Sequence, residues 1–90
     1  MKSIYVGELN QLMLGLMKRD IEFIFTPFMN GGKVDVPSQN WDAICHDGSY
    51  GHEVGELEVM GSINTNILDG VEGWLSAEEI LQRVDKIKGD

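Results

Sequence analysis

The chain has 90 residues, and its 15 aspartates and glutamates outnumber its seven lysines and arginines, which gives a net charge of −8 at pH 7. A chain of this length forms one domain, residues 1–90, without room for a second core. Because nucleic-acid binding depends on cations that release counterions from phosphate, the acidic balance argues against direct binding to DNA or RNA. No apolar run is long enough for a membrane span or a secretory signal, and Cys45 is the only cysteine, so we expect a cytoplasmic protein without disulfides.

The first predicted element is a helix from Ser3 to Arg19. Apolar residues recur there at helical spacing, which gives the helix one face for the core. Gly7 and Gly15 each lower its stability by about 1 kcal/mol relative to alanine, so the helix needs tertiary contacts to persist. The apolar positions of this face are Leu9, Leu12, Met13, Leu16 and Met17.

Four strands are predicted next, because the apolar period changes to two from Ile21 onward. The segment NGG at residues 30–32 tolerates positive φ and should turn the chain between the first two strands, and Pro37 ends the second. One side of these strands faces the core. The predicted inward positions are Ile21, Phe23, Phe25, Val34, Val36, Trp41, Ala43, Cys45, Leu57 and Val59.

The third and fourth strands form a hairpin whose register is predicted by placing apolar residues opposite each other. Cys45 then faces the core while its neighbour His46 faces the other side of the sheet. This separation prevents a thiolate–imidazole pair, so Cys45 is interpreted as a small apolar core residue. The predicted pairs are Trp41 with Val59, Ala43 with Leu57 and Cys45 with Gly55.

A capping box marks the start of the last helix. Ser76 can accept a hydrogen bond from the amide of Glu79, and the Glu79 side chain can accept one from the amide of Ser76. Leu75 can pack against Ile80 across this cap. Residues 62–73, SINTNILDGVEG, are predicted to be a long polar connection. The apolar stripe of the helix is Ala77, Ile80, Leu81, Val84 and Ile87.

These elements predict an α+β fold, a four-stranded antiparallel meander with an N-terminal and a C-terminal helix packed on one face, in the order α-β-β-β-β-α. Trp74, just ahead of the last helix, is expected in the core because tryptophan is mostly buried in small domains; a surface anchor is the alternative.

The face of the sheet without helices carries acids around two exposed isoleucines, which favours a docking surface for a protein. We therefore expect a non-enzymatic interaction protein without a cofactor. Its partner is a host protein or a second copy of the chain in a homodimer, and mimicry of nucleic acid by the acidic surface is one form of this hypothesis. The candidate binding residues are Glu22, Ile24, Asp35, Asp42, Ile44, Glu56 and Glu58.

The alternative function is a small metal-dependent or hydrolytic enzyme that uses residues 46–53. Ser49 with His52 has the composition of a nucleophile and its base, but the serine lies on no strand-to-helix elbow. The loop histidines and acids could also bind a metal ion, although their spacing matches no recurrent ligand pattern. A purely structural loop, with Asp47 and Ser49 bonded to loop amides and Gly48 and Gly51 at positive φ, explains the same residues. The candidate metal ligands are His46, Asp47, His52 and Glu53.

Two segments carry a resemblance to a known group of proteins. ICHDGSYGHEVGELEVMG, followed by VEGWLSAEEILQRV, resembles the pattern of small proteins encoded in phages and prophages of Gram-positive bacteria, over roughly Ile21 to Val84. The resemblance implies no reaction and no catalytic residues. It implies a protein made inside an infected or lysogenic bacterium and acting there by binding.

The predicted order of elements also resembles the double-stranded RNA-binding domain, whose binding face depends on lysines that contact phosphate. Here the last helix begins with Glu78 and Glu79 instead. This departure removes the RNA-binding function even where the shape is similar.

Overall fold

The computed structural model of the chain describes residues 2–66 and 68–89. The fold is α+β, with two helices and an antiparallel sheet whose strands lie side by side in chain order. The sheet has five strands, so the predicted number of four and the order α-β-β-β-β-α are each short by one strand. The elements are α1 (Ser3–Lys18), β1 (Ile24–Phe28), β2 (Gly31–Val36), β3 (Trp41–Cys45), β4 (Leu57–Gly61), β5 (Val71–Leu75) and α2 (Ala77–Gly89).

One core lies between the sheet and the two helices. Alternate residues of β2, β3 and β4 point into it and meet the apolar stripes of α1 and α2, which confirms the predicted alternation. Each fully buried aliphatic side chain there contributes about 1.5–3 kcal/mol to stability. The buried core residues are Tyr5, Leu9, Leu12, Leu16, Ile21, Val34, Val36, Trp41, Ala43, Cys45, Leu57, Val59, Ile63, Leu75, Ala77, Ile80 and Val84.

The edges of the predicted apolar stripes are more exposed than expected. Phe23, Phe25 and Leu81 are only partly buried against the core. Met17 near the end of α1 and Ile87 in α2 have about half or more of their surface in solvent, although both were predicted on the apolar stripes.

The fifth strand, β5, begins in the last three residues of the segment 62–73, which was predicted to be a polar connection. Its Leu75 pairs with Leu57 and its Val71 pairs with Met60, with an irregularity between these pairs. Glu72 of β5 receives two hydrogen bonds from Arg83 of α2, at 2.9 and 2.7 Å. The strand therefore depends on tertiary contacts, which its local sequence does not indicate.

The β3–β4 register differs from the predicted one by two residues. Ala43 pairs with Val59 and Trp41 pairs with Gly61, so the predicted pairs were wrong. A shift by two preserves which side chains face the core, and Cys45 remains buried. The loop that connects β3 to β4 contains a 3₁₀ turn, His52–Val54.

The ends of the helices are fixed by side chains. The predicted capping box of α2 is confirmed: Ser76 Oγ accepts from the Glu79 amide at 3.1 Å, and Glu79 Oε1 accepts from the Ser76 amide at 3.1 Å. Arg19, at the end of α1, donates to the Gly15 carbonyl and to the Asp85 carboxylate of α2. Within the described residues, neither helix is apolar over a length that could cross a membrane.

Candidate functional site

The sheet face opposite the helices combines exposed apolar side chains with carboxylates. We call it the outer face. Its side chains come from β1 to β4, because every second residue of a strand points to this side. Three of its apolar residues have about half of their surface in solvent: Ile24 at 57%, Phe28 at 52% and Met60 at 49%. The apolar and charged side chains of the outer face are Ile24, Phe28, Lys33, Asp35, Asp42, Ile44, Glu58 and Met60.

Two of its acids are direct cross-strand partners. Asp35 of β2 pairs with Asp42 of β3, so their side chains stand side by side, as cross-strand pairs do at about 5 Å between Cβ atoms. Burial, together with repulsion by Asp35 and Glu58, raises the pKa of Asp42 above its usual value. Lys33 offsets part of this effect and lies 3.6 Å from the Asp35 carboxylate.

A concavity of about 320 Å³ lies within the outer face. Phe28 and Met60 line it together with Ile44, and Lys33 and Asp42 add one charge of each sign. The Phe28 ring also meets the His46 ring edge to face, with 5.0 Å between the centroids. The concavity therefore offers an apolar surface for one inserted side chain and a carboxylate beside it.

The predicted binding residues do not all lie on this face. Ile24, Asp35, Asp42 and Ile44 do, whereas Glu22 precedes β1 and Glu56 precedes β4. Glu58 is on this face but is buried under the loop that connects β3 to β4. Its Oε1 accepts a hydrogen bond from the Tyr50 amide at 2.8 Å, so this carboxylate also holds the loop on the sheet.

Sequence reasoning missed three residues of the outer face. Phe28, Lys33 and Met60 belong to it, and continuing the period of two along their strands would have found them. The inward positions predicted from the sequence ended at Phe25 in the first strand and at Val59 in the fourth.

The loop that carries the enzyme hypothesis has a structural explanation for Ser49. Its Oγ donates to the His46 carbonyl and accepts from the His46 amide, both at 3.0 Å. His52 approaches the carbonyl oxygen of Ser49 through Nδ1 at 2.5 Å, not the hydroxyl. The serine is thus a turn residue, and its hydroxyl is directed at the main chain rather than at a base.

Asp47 is held by side chains from other parts of the fold and not by the predicted loop amides. Tyr5 Oη donates to its Oδ1 and Asn30 Nδ2 to its Oδ2, both at 2.7 Å. These hydrogen bonds lower the pKa of Asp47. The carboxylate therefore connects α1, the β1–β2 turn and the loop.

The candidate metal ligands do not form a ligand set. In the described parts of the chain, no three histidine, cysteine or acid side chains are arranged to hold a metal ion. His52 lies 3.3 Å from Glu53, while His46 Nδ1 contacts the Asp47 carbonyl at 2.8 Å. The loop thus brings one histidine–acid pair together and orients the other histidine toward the main chain.

Cys45 lies on the core side of the sheet, as predicted. It is fully buried, and this burial raises its pKa to about 11. A thiol with such a pKa stays protonated at neutral pH, and the nucleophile is the thiolate. Cys45 therefore acts as a packing residue.

Trp74 lies on the surface, so its predicted core position was wrong. Its side chain is 53% exposed, and its main chain adopts a positive φ of 62°. For a bulky residue this conformation costs on the order of 1–3 kcal/mol. It arises at the irregularity where β5 pairs with β4, which turns the indole outward. Trp74 and Tyr50, which is 57% exposed, line one concavity of about 340 Å³.

Comparison with known proteins gives no family: no family model, curated protein or solved structure matches the chain.

Proposed function

We propose that this chain is a non-enzymatic binding protein whose outer face docks a basic segment of another protein. The observation that carries the proposal is the combination of exposed apolar side chains with a carboxylate, Asp42, whose pKa is raised by burial and by neighbouring acids. A cation of a partner would relieve this repulsion, and an apolar partner residue would cover the concavity. Isolated exposed apolar residues are ordinary on protein surfaces, whereas these residues share one face with acids.

The size of the outer face supports a short segment as the occupant. The four strands that carry it, spaced about 4.8 Å apart with a rise of about 3.4 Å per residue, give a face of roughly 330 Å². Stable protein–protein interfaces bury about 800 Å² on each partner. A strand or a helical turn of a partner fits such an area better than a whole folded surface does.

The charge supports a different protein rather than a second copy as the partner. Two copies would each bring a net charge of −8 and would place carboxylates against carboxylates. Mimicry of nucleic acid is a weaker form of the proposal, because Lys33 and apolar side chains lie among the acids where a phosphate mimic needs continuous negative charge. In the context implied by the resemblance, the basic partner belongs to the host of a phage or prophage.

Peptides of defined chemistry test the proposal. We would titrate the protein with a blocked peptide of alternating lysine and leucine, its glutamate–leucine counterpart and a lysine–glycine peptide. NMR signals of the Ile24, Ile44 and Met60 methyl groups report binding. We expect the lysine–leucine peptide to shift these signals, the lysine–glycine peptide to bind more weakly, and the glutamate–leucine peptide to leave them unchanged. Equal effects of the two leucine peptides, or no shift with any peptide, would overturn the proposal.

A matched pair of charge reversals separates the outer face from net charge. Asp35→Lys and Glu78→Lys change the net charge equally, but only Asp35 lies on the outer face, whereas Glu78 is exposed in the first turn of α2. We expect Asp35→Lys to weaken binding of the lysine–leucine peptide about tenfold, and Glu78→Lys to weaken it much less. Equal weakening would show that binding depends on net charge and not on this face.

A further inference from the structure

Tyr50 and Trp74 form an exposed aromatic pair, which we call the anchor pair. More than half of each residue is in solvent, and the Trp74 amide faces the Tyr50 carbonyl at 3.4 Å. Trp74 adopts a positive φ, a conformation that asparagine or glycine would adopt with less strain. A strained, solvent-exposed tryptophan adds little to the core, so its position indicates a role in binding.

Two glycines bring the anchor pair together. A Cβ on Gly51 would lie 3.0 Å from the Trp74 nitrogen, and Gly51 itself has a φ of 98°. A Cβ on Gly73 would overlap the side chain of Tyr50. The loop and β5 can therefore approach closely enough to present both rings only because neither glycine has a side chain.

The surroundings of the anchor pair are acidic. The concavity lined by both rings is also lined by Asp69, whose Oδ2 accepts a hydrogen bond from Asn66 at 3.2 Å. Glu58 accepts the hydrogen bond of the Tyr50 amide and pairs across the sheet with Ile44, which connects the anchor pair to the outer face. Aromatic faces next to carboxylates favour a cation, and a guanidinium can stack flat on an indole while its charge meets a carboxylate.

We propose that Tyr50 and Trp74 hold an arginine side chain of the partner, an inference that rests on the proposed docking function. The indole provides the stacking surface, and Asp69 provides the counter-charge. Arginine is favoured over lysine because the guanidinium is planar and loses its hydration more readily. The basic segment on the outer face and the arginine on the anchor pair then belong to one partner.

The test uses the two tryptophans as separate reporters. Trp41 is buried and donates its indole N–H to Gln39 at 2.8 Å, whereas Trp74 is exposed, so their indole N–H signals respond differently to a surface ligand. The probes are blocked Gly-Arg-Gly, its citrulline and lysine analogues, and methyl glucoside, which also stacks on aromatic rings. We expect the arginine peptide to shift the Trp74 signal alone, with an affinity three to ten times that of the uncharged citrulline peptide.

Variants connect the shift to the proposed residues. Trp74→Ala and Tyr50→Leu should each abolish the preference for arginine over citrulline, and Asp69→Asn should reduce it severalfold. Gln82→Ala, exposed on α2, is the matched control and should retain it. Equal affinities for arginine and citrulline, or a shift of Trp74 by methyl glucoside and not by arginine, would overturn the inference.

These experiments test the arginine site at the anchor pair and the docking on the outer face independently. Gly-Arg-Gly contains no apolar side chain, so the absence of a Trp74 shift, together with methyl shifts caused by the lysine–leucine peptide, removes the anchor alone. A Trp74 shift without any methyl shift leaves an arginine site but removes docking on the outer face.

Discussion

Burial raises the pKa of Asp42 most, and the charge of its cross-strand neighbour Asp35 raises it further. Removing that charge with Asp35→Asn should lower the pKa of Asp42 toward its ordinary value and stabilise the protein at pH 7 by roughly 0.5 kcal/mol, because like charges directly opposite each other destabilise a sheet. A carboxyl NMR titration measures the pKa. Glu78→Gln, on the helix side, should leave it unchanged.

The sign of the pH dependence follows from the direction of this shift. A carboxyl whose pKa is raised in the folded state binds its proton more tightly there than in the unfolded chain. The contribution of Asp42 to stability is therefore greatest at low pH and is lost as the pH rises through the folded-state pKa. Asp35→Asn should make this loss smaller, and an unchanged pH dependence would contradict the assignment.

The positive φ of Trp74 reverses the usual order of two substitutions. In a strand, glycine is normally less stable than alanine, but at a positive φ alanine is strained and glycine is not. We therefore expect Trp74→Gly to be more stable than Trp74→Ala by about 1 kcal/mol in urea unfolding. Val71, in the same strand with ordinary φ, is the control, since alanine should be more stable there than glycine. The same order at both positions would contradict the strained conformation.

At the scale of elements, the two glycines of α1 differ in their surroundings. A Cβ on Gly7 would meet no atom within 4 Å, whereas a Cβ on Gly15 would overlap the Leu81 side chain of α2. Gly7→Ala should thus stabilise the protein by about 0.5–1 kcal/mol through helix propensity. Gly15→Val should destabilise it by about 1 kcal/mol relative to Gly7→Val, because only the former must displace the Leu81 side chain between α1 and α2. Thermal unfolding measures both differences. Equal effects of Gly7→Val and Gly15→Val would show that Gly15 is not in close contact with α2.

The pair formed by Glu72 and Arg83 fixes β5 to α2 and makes the fold sensitive to acid. Hydrogen bonds from Arg83 and Thr65 lower the pKa of Glu72 to about 2. A lowered pKa stabilises the folded state above the ordinary value of 4.5, and this contribution is lost as the pH falls from 4.5 toward 2. Glu72→Gln should cost about 1.5–3 kcal/mol at pH 7 and almost nothing near pH 2 in urea unfolding. Gln82→Ala, exposed on α2, removes no charged group and is the control that should show no such pH dependence.

Local sequence signals predicted some elements and missed another. The helix α2 was predictable because its capping box, Ser76 and Glu79, lies within four consecutive residues and determines its own geometry. The strand β5 was not, since it is held by pairing with β4 and by Arg83, which is distant in sequence. The same dependence on distant contacts explains Trp74, whose exposure follows from the irregular β4–β5 pairing.

At the scale of the whole molecule, the alternation of inward and outward residues was predictable, but the β3–β4 register was not. An error of two residues leaves the alternation intact, so Ala43 and Val59 were assigned correctly to the core despite the wrong pairing. The outer face was therefore predicted in part, through Ile24, Asp35, Asp42 and Ile44. The burial of Glu58 was not, because it depends on the path of the loop that places the Tyr50 amide against its carboxylate.

The net charge of −8 gives salt opposite effects on folding and on docking. Acids outnumber bases by 15 to seven, so self-repulsion in the compact state exceeds the attraction in ion pairs such as Arg19–Asp85. Salt at about 0.15 M screens charges beyond roughly 8 Å. The melting temperature should therefore rise between 20 and about 300 mM sodium chloride, while the affinity for the lysine–leucine peptide falls about tenfold. Asp35→Lys, with a smaller net charge, should show a smaller rise in melting temperature and a smaller loss of affinity. Affinity that increases with salt would instead make the interaction of the outer face with its partner an apolar one.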